Sequence, residues 1–157
     1  SLFQKEWLGI DTLIVHNDLT RSALDKVAAL YKKAKQKQLH AQVVKCLIYE
    51  YTLQNRITEG ASDSLLNRIR KELADTRDET AKAILHSLLA KLYRQYLDNN
   101  FWRINDRKKT TGTSQPDITT WGVADFAQTI RKHLAQSLEN TALLQQTPGD
   151  RYEAILK

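Results

Sequence analysis

The feature that most constrains the fold is a long amphipathic pattern between Ala81 and Arg107, where apolar residues recur every three or four positions without an intervening Gly or Pro. Side chains at this spacing form one stripe along a helix, and such a broad stripe has to be buried against other helices. We therefore expect a long central helix that is packed against neighbours. The stripe consists of Ile84, Leu85, Leu88, Leu89, Leu92, Tyr93, Tyr96 and Leu97.

The rest of the chain supports a helical fold. Its 157 residues are enough for one domain with a sizeable core, and they include only 5 Gly and 2 Pro. So few turn-forming residues favour long helices over many short strands. We predict an all-α protein in which residues 1–157 form a single helical domain.

Apolar periodicity divides the chain into about six helices. Thr20 and Ser62 are the predicted N-caps of the second and fourth helices, because a hydroxyl can accept a hydrogen bond from a free amide. Between Phe101 and Thr120 the periodicity fails, so an irregular exposed loop is predicted there. The helices are predicted over about residues 2–15, 20–37, 40–55, 62–75, 81–100 and 122–145, the last of them packing through Phe126, Ile130, Leu134 and Leu138.

Successive helix pairs indicate a stack related to tetratricopeptide (TPR) repeats. Taking Trp7 as the fourth position of a 34-residue repeat places Ile10, Ile14, Ala23 and Val27 on consensus positions. The match is partial, since later helices fit less well. We predict stacked antiparallel helix pairs, a TPR-like α-solenoid fragment, with a compact helical bundle as the alternative.

The charge pattern gives little support for binding to nucleic acids. Lys and Arg exceed Asp and Glu by 24 to 18, a net charge of +6, but both signs are mixed along nearly every helix. Nucleic-acid binders usually concentrate basic residues on one face, so binding to nucleic acid is kept only as the alternative function. That alternative would use Arg94, Arg103, Arg107, Lys108 and Lys109.

No motif for catalysis or cofactor binding is present. The four histidines, His16, His40, His86 and His133, are not at metal-ligand spacing from each other or from Cys46. The sequence also lacks a glycine-rich phosphate loop and a GxSxG motif. We predict a protein that is not an enzyme, with no cofactor, no metal and Cys46 as a small buried hydrophobic residue.

Two further expectations concern context. The sequence contains no apolar run long enough to span a membrane and no signal peptide. Because it contains no Met and starts at Ser1, we expect it to be a fragment of a larger protein.

The segment after the long helix is the main candidate for recognition. Its residues are either structural, with Trp102 and Ile104 folded onto the core and Arg103 and Arg107 paired with carboxylates or helix-end carbonyls, or they dock another protein. Aromatic and Arg side chains suit both roles. The candidate interaction or structural residues are Asn100, Trp102, Arg103, Asn105, Arg107 and Trp121.

An ordered series of short motifs resembles one protein family. The series consists of Trp7, Ser22-Ala23-Leu24 with Ala34-Lys35, Gln42 with Lys45, AILHSLLAKLYRQYLDNNFWRINDR from Ala83, and Asp117-Ile118-Thr119-Thr120-Trp121. It is similar to the N-terminal helical region of the large alpha-2-macroglobulin-like proteins of the bacterial cell envelope.

The resemblance implies a non-catalytic helical scaffold or protein-interaction domain in a secreted or lipid-anchored protein, periplasmic or on the cell surface. The implied partners are neighbouring β-sandwich macroglobulin domains or another protein. The family as a whole is associated with endopeptidase inhibition. The family's thioester motif is Cys-Gly-Glu-Gln, whereas Cys46 is followed by Leu47-Ile48-Tyr49, so that chemistry is not expected in this chain.

Overall fold

A computed structural model describes residues 2–16, 19–57, 63–107 and 117–139. All regular secondary structure in these residues is helical, which confirms the all-α prediction. One 3₁₀ turn, Ile118–Thr120, precedes the last helix. The α-helices of the described residues are α1 Leu2–Val15, α2 Thr20–Gln36, α3 His40–Ile57, α4 Asp63–Asp75, α5 Glu79–Asn99, α6 Phe101–Asn105 and α7 Val123–Glu139.

The described residues fall into two compact units, residues 2–57 and residues 63–139. The first contains α1 to α3, and the second contains α4 to α7. The expectation of a single domain stays a prediction.

In the first unit, α2 packs against both α1 and α3. Its buried positions, Ala23, Val27, Leu30 and Ala34, recur every three or four residues and so form one face. The two alanines are fully buried, and their small side chains let the neighbouring helices approach closely. The other core residues of this unit are Phe3, Trp7, Ile10, Val43, Val44, Cys46, Leu47 and Leu53.

The two ends of α2 are formed differently from each other. The predicted N-cap Thr20 is wrong, because the Leu19 carbonyl already accepts the first helical hydrogen bond from the Ala23 amide at 2.9 Å, which makes Thr20 the first helical residue. At the other end, Gln38 adopts a left-handed φ of 55° and the Leu39 amide donates to the Ala34 carbonyl. This is a Schellman ending. The second predicted N-cap, Ser62, lies outside the described residues.

In the second unit, α5 packs against both α4 and α7. Asp78 caps α5 by accepting hydrogen bonds from the Thr80 and Ala81 amides at 2.9 and 3.3 Å, so the helix begins at Glu79, two residues before the predicted start. Contacts on two sides widen the buried surface beyond a single stripe. The buried residues of α5 are Thr80, Ala81, Ala83, Leu85, Leu88, Leu89, Ala90, Leu92, Tyr93 and Leu97.

The predicted packing face of α7 is correct only in its first half. Phe126 and Ile130 are buried, whereas Leu134 and Leu138 are 45% and 70% exposed. With 3.6 residues per turn, positions four apart drift by about 40° at each step around the helix. Three such steps carry Leu138 away from the side that faces α5.

The prediction of a loop over residues 101–120 is wrong at both ends of that range. Phe101–Asn105 form α6, which begins where the Ile104 amide donates to the Asn100 carbonyl, and a 3₁₀ turn covers Ile118–Thr120. Ile104 and Ile118 are buried, so each end is helical and has one side packed on the core. The sequence predicted a loop because α6 is too short to show helical periodicity. Residues 108–116 of the predicted loop lie outside the described residues.

We predict that Leu88→Ala lowers the free energy of unfolding by about 2–5 kcal/mol, because it leaves a cavity in the core. Leu88 is 5% exposed, whereas Leu138 is 70% exposed although both fall on predicted apolar stripes. Leu138→Ala is therefore the matched control and should change stability by less than about 0.5 kcal/mol. Urea denaturation followed by circular dichroism measures both, and equal losses would contradict this account of the core.

Candidate functional site

The end of α5 fixes the position of two candidate residues. Asn100 is half-buried; its side-chain amide donates to the Tyr96 carbonyl at 2.9 Å, and its side-chain oxygen accepts from Nη2 of Arg103 at 2.8 Å. The same Nη2 lies 3.4 Å from the Tyr96 hydroxyl. Arg103 is exposed, yet its guanidinium is held at the α5–α6 junction.

Two other candidate residues join α6 to the start of α7. Nη1 of Arg107 donates to the Ile118 carbonyl at 3.1 Å and to the Trp121 carbonyl at 2.8 Å. Trp121 is 2% exposed and lies beside Tyr93 and Phe126, with ring centroids 5.5 and 5.2 Å away. These contacts confirm that Arg107 pairs with helix-end carbonyls, and they make Arg107 and Trp121 structural residues.

The remaining candidates face solvent. Trp102 is 77% exposed and Phe101 is 39% exposed, with their rings in an edge-to-face arrangement at 5.7 Å. Asn105 is also exposed. The interpretation in which Trp102 folds onto the core is wrong, because the buried side of the short helix α6 is occupied by Ile104. We call Phe101, Trp102 and Arg103 the exposed aromatic edge.

Two histidines that are distant in the sequence are in contact. Nδ1 of His86 on α5 lies 2.8 Å from Nδ1 of His133 on α7, so one ring donates a hydrogen bond to the other. Tyr93 stacks on His133 with an interplanar angle of 15°. The two histidines are 47 positions apart, and spacing rules test only local pairs. A usable signal was that His133 follows Phe126 and Ile130 at helical spacing on the buried side of α7.

Burial, the neighbouring His86 and the positive charges of Lys132 and Arg70 together lower the pKa of His133 to about 4. The pKa of His86 is also lowered, again chiefly by burial. Both rings are therefore neutral at pH 7, and one of them donates the hydrogen bond to the other. The charged groups that act on His86 are Lys132 and Lys82, which lower its pKa, and Glu139, which raises it.

A cavity of about 220 Å³ opens beside this pair, between α4, α5 and α7. Buried Leu89, Tyr93 and Trp121 form its inner wall, whereas Lys132 is exposed at its opening. The guanidinium of Arg70 lies 5.7 Å from the centre of the Tyr93 ring. The residues that line the cavity are Arg70, Leu73, Leu89, Tyr93, Trp121, Thr129, Lys132 and His133.

The first unit contains a separate polar and aromatic cluster. Nε1 of Trp7 donates to Oε1 of Gln42 at 2.8 Å, and the Lys45 ammonium lies 4.4 Å from the centre of the Trp7 ring. Tyr49 packs on Trp7 and donates its hydroxyl hydrogen to Asp11 at 2.9 Å. Burial lowers the pKa of Lys45, and burial with the bond to Asp11 raises the pKa of Tyr49 to about 12. The cluster joins α1 to α3.

Cys46 follows Lys45 of this cluster in the sequence and is fully buried. Burial raises its pKa to about 12, and the charge of Glu50 adds to the increase. The thiolate is the reactive form of cysteine, so this side chain is inert at neutral pH. The prediction of a small buried hydrophobic residue is confirmed.

The arginines of the nucleic-acid alternative are engaged within the chain. Arg94 pairs with Asp98 at 3.3 Å, and Arg103 and Arg107 make the hydrogen bonds given above. Lys108 and Lys109 lie outside the described residues. Exposed ion pairs such as Arg94 with Asp98 are weak, so the nucleic-acid alternative stays a prediction.

The described residues show no metal-ion cluster and no membrane-spanning helix. Within residues 2–16, 19–57, 63–107 and 117–139, no three His, Cys, Asp or Glu side chains are grouped closely enough to hold a metal ion. Within the same ranges, every helix is too short or too polar to cross a bilayer. Comparisons with protein-family models, curated proteins and solved structures gave no match to this chain.

We predict that acidification destabilises the second unit through His133. An unfolded histidine takes up a proton near pH 6.5, whereas folded His133 does so only near pH 4, so the unfolded state binds more protons in that window. This contribution to the free energy of unfolding is complete above about pH 6.5 and is lost as the pH falls toward about 4. We expect a loss of about 1–2 kcal/mol, less than the full shift would give, because the ring is partly exposed to screening solvent.

Denaturation curves at several pH values test this, with His133→Gln compared to His40→Gln. The side chain of His40 is exposed at the start of α3. His133→Gln should flatten the pH dependence between about pH 6.5 and 4, and His40→Gln should leave it unchanged. Parallel curves for the wild type and His133→Gln would refute the role of the histidine pair.

We also predict that Arg107→Gln lowers the free energy of unfolding by about 1.5–3 kcal/mol, because charge-assisted hydrogen bonds to two carbonyls are lost. Arg131 is exposed on α7 and gives a control with the same change of charge. Arg131→Gln should have an effect below about 0.5 kcal/mol in the same chemical denaturation assay. If the two variants were equally stable, Arg107 would not hold α6 to α7.

Proposed function

We propose that this chain is a non-catalytic helical domain that binds a protein surface through the exposed aromatic edge. The observation that carries the proposal is the indole of Trp102, which is 77% exposed beside Phe101. Covering a large aromatic side chain is favourable, and Trp and Arg contribute disproportionately to the binding energy of protein interfaces.

The exposed aromatic edge is also ordered before any partner arrives. Ile104 anchors α6 in the core, and Arg103 is held by Asn100 and Tyr96. An interface built from residues that are already positioned loses less conformational entropy on binding. Rigidity of this kind favours a folded partner surface.

The partner that we propose is a β-sandwich domain of the same polypeptide. The motif series supports this choice through its resemblance to envelope alpha-2-macroglobulin-like proteins, in which such domains follow the helical region. Several motif residues pair with each other, Trp7 with Gln42 and Arg107 with Trp121, as residues of a shared scaffold would. The proposed location is therefore the periplasm or cell surface, and the proposal assigns no protease-inhibiting step to these residues.

The proposed architecture is a TPR-like stack of helix pairs. Its support is that each unit has a central helix packed against two others, α2 against α1 and α3, and α5 against α4 and α7. Repeats of helix pairs bury their apolar faces on neighbours in this way. A compact bundle remains the alternative architecture.

Hydroxyl-radical footprinting with mass spectrometry tests the proposed partner. The 157-residue chain has three tryptophans, of which Trp7 and Trp121 are buried and serve as internal controls. Trp102 should oxidise rapidly in this chain alone and at least about fivefold more slowly in the product of the complete reading frame, since docking excludes solvent. Equal rates, or a reading frame that encodes no β-rich domain, would refute the proposal.

A binding measurement gives the matched mutational test. We predict that Trp102→Ala weakens association of the 157-residue chain with the β-rich remainder of the protein by about tenfold or more, as expected when an interface anchor is removed. Leu138→Ala removes a similarly exposed apolar side chain from α7 and should change affinity less than about twofold. Similar effects of the two variants would show that the exposed aromatic edge is not the contact.

A further inference from the structure

The outer side of α1 carries an apolar ridge. The helix buries Phe3 and Trp7 on its inner side, whereas Leu8 and Val15 on the opposite side are 63% and 74% exposed. With 3.6 residues per turn, Leu8, Thr12 and Val15 lie within about 60° of one another around the helix. We call these three residues the α1 ridge. A helix that is apolar on two opposite sides is typical of one that is covered on both.

Thr12 belongs to the ridge although its side chain is polar. Its hydroxyl donates to the Leu8 carbonyl at 2.8 Å, so the polar atom is satisfied within the helix and the methyl group remains for packing. Leu19, which is 46% exposed, adds apolar surface at the end of α1, where its amide donates to the Leu13 carbonyl at 3.0 Å. A single exposed leucine is ordinary, but several apolar groups along one helix form a surface that a partner can cover.

The charges around the ridge suit a second copy of this chain, with its α1 antiparallel to the first. Asp11 is the charged residue between Leu8 and Val15, and it is held toward α3 by the hydrogen bond that it accepts from Tyr49. Lys5 lies at one end of the ridge, so the two Lys5 residues of an antiparallel pair are about 20 Å apart along the helices. This exceeds the screening length of about 10 Å at 0.1 M salt, whereas a parallel pair would place the two charges side by side.

An antiparallel pair also matches the shape of the ridge. It places Leu8 of each copy against Val15 of the other and brings the two Thr12 side chains together at the two-fold axis, which is an isologous contact. The 14 residues of α1 span about 21 Å, so a contact about 10 Å wide buries on the order of 600 Å² in total. Stable complexes bury about 1,200 Å² or more, so this contact is weak and reversible.

We propose that the 157-residue chain forms a weak antiparallel dimer through the α1 ridge. Its Kd is on the order of 0.1 mM, as suits the small contact area. The ridge lies in the first unit and is separate from the exposed aromatic edge. Self-association is therefore a second interaction, additional to the proposed contact with a β-sandwich domain.

Sedimentation equilibrium of the 157-residue chain tests the proposal over concentrations from about 10 μM to 1 mM. The chain should be mainly monomeric at the lowest concentration and mainly dimeric at the highest, as a Kd on the order of 0.1 mM requires. A chain that keeps the monomer mass at 1 mM would leave the ridge to a different partner and would overturn the proposal.

Two threonines provide matched variants. Thr12 and Thr52 are both exposed on helices, and each donates its hydroxyl to the carbonyl four residues earlier. Thr12→Lys places two like charges at the two-fold axis and should weaken dimerisation about tenfold or more. Thr52→Lys, on α3, should change it less than about twofold. Circular dichroism checks that both variants are folded, and equal losses would show that the α1 ridge is not the contact.

Thr12→Cys tests the register of the pair. Oxidised glutathione accepts the two electrons released when two thiols join, and thiols that meet at the two-fold axis are close enough to form a disulfide between copies. Thr52→Cys is the control, and Cys46 is buried with a pKa of about 12, so it does not take part. Non-reducing gels should show much faster cross-linking of Thr12→Cys. Equal rates for the two variants would contradict the antiparallel contact.

Discussion

The packing of α5 between α4 and α7 is the constraint on which the second unit depends. Tyr93 is central to it, being 1% exposed and in ring contact with Trp121, Phe126 and His133. Aromatic contacts of this kind add to the energy of simple area burial. The same side chain that holds α7 against α5 also lines the cavity between α4, α5 and α7, together with buried Leu89 and Trp121.

A second consequence of this packing is the placement of α6. The short helix α6 lies between the end of α5 at Asn99 and the start of α7 at Val123. Ile104 anchors it in the core, and Arg107 binds the carbonyls of Ile118 and Trp121. With its inner side occupied, α6 directs Phe101 and Trp102 to solvent. The exposure of these rings thus follows from packing constraints on their neighbours.

Residues with strong local signals were predictable from the sequence. The α1 boundaries follow from periodicity, since a helix of several turns repeats its apolar spacing, and the burial of Cys46 follows from its place inside a predicted helix. The five residues of α6 are too few for such a signal. Leu134 and Leu138 share the apolar character of Phe126 and differ from it only in where the partner helix runs, which is tertiary information.

The candidate residues also differ in whether their surroundings could be predicted from local sequence or depend on tertiary packing. Arg107 was expected to pair with carboxylates or helix-end carbonyls if structural, and it binds two carbonyls. Trp102 and Trp121 looked alike in the sequence, yet one is 77% and the other 2% exposed. The His86–His133 contact links two helices across 47 positions and depends on how α7 lies along α5. Arg70 and Lys132 line the cavity from two different helices, so their grouping also could not be predicted from the sequence.

Native-state amide hydrogen exchange tests the central claim most directly, namely that a rigid α5–α6–α7 framework presents the exposed aromatic edge. The account predicts the slowest exchange in the second unit at the centre of α5, near Leu89 to Tyr93, and measurable protection of the Ile104 and Asp106 amides, which donate within α6. If the α6 amides exchanged at the rate of an unstructured peptide while α5 stayed protected, the edge would not be preorganised and the account would be contradicted.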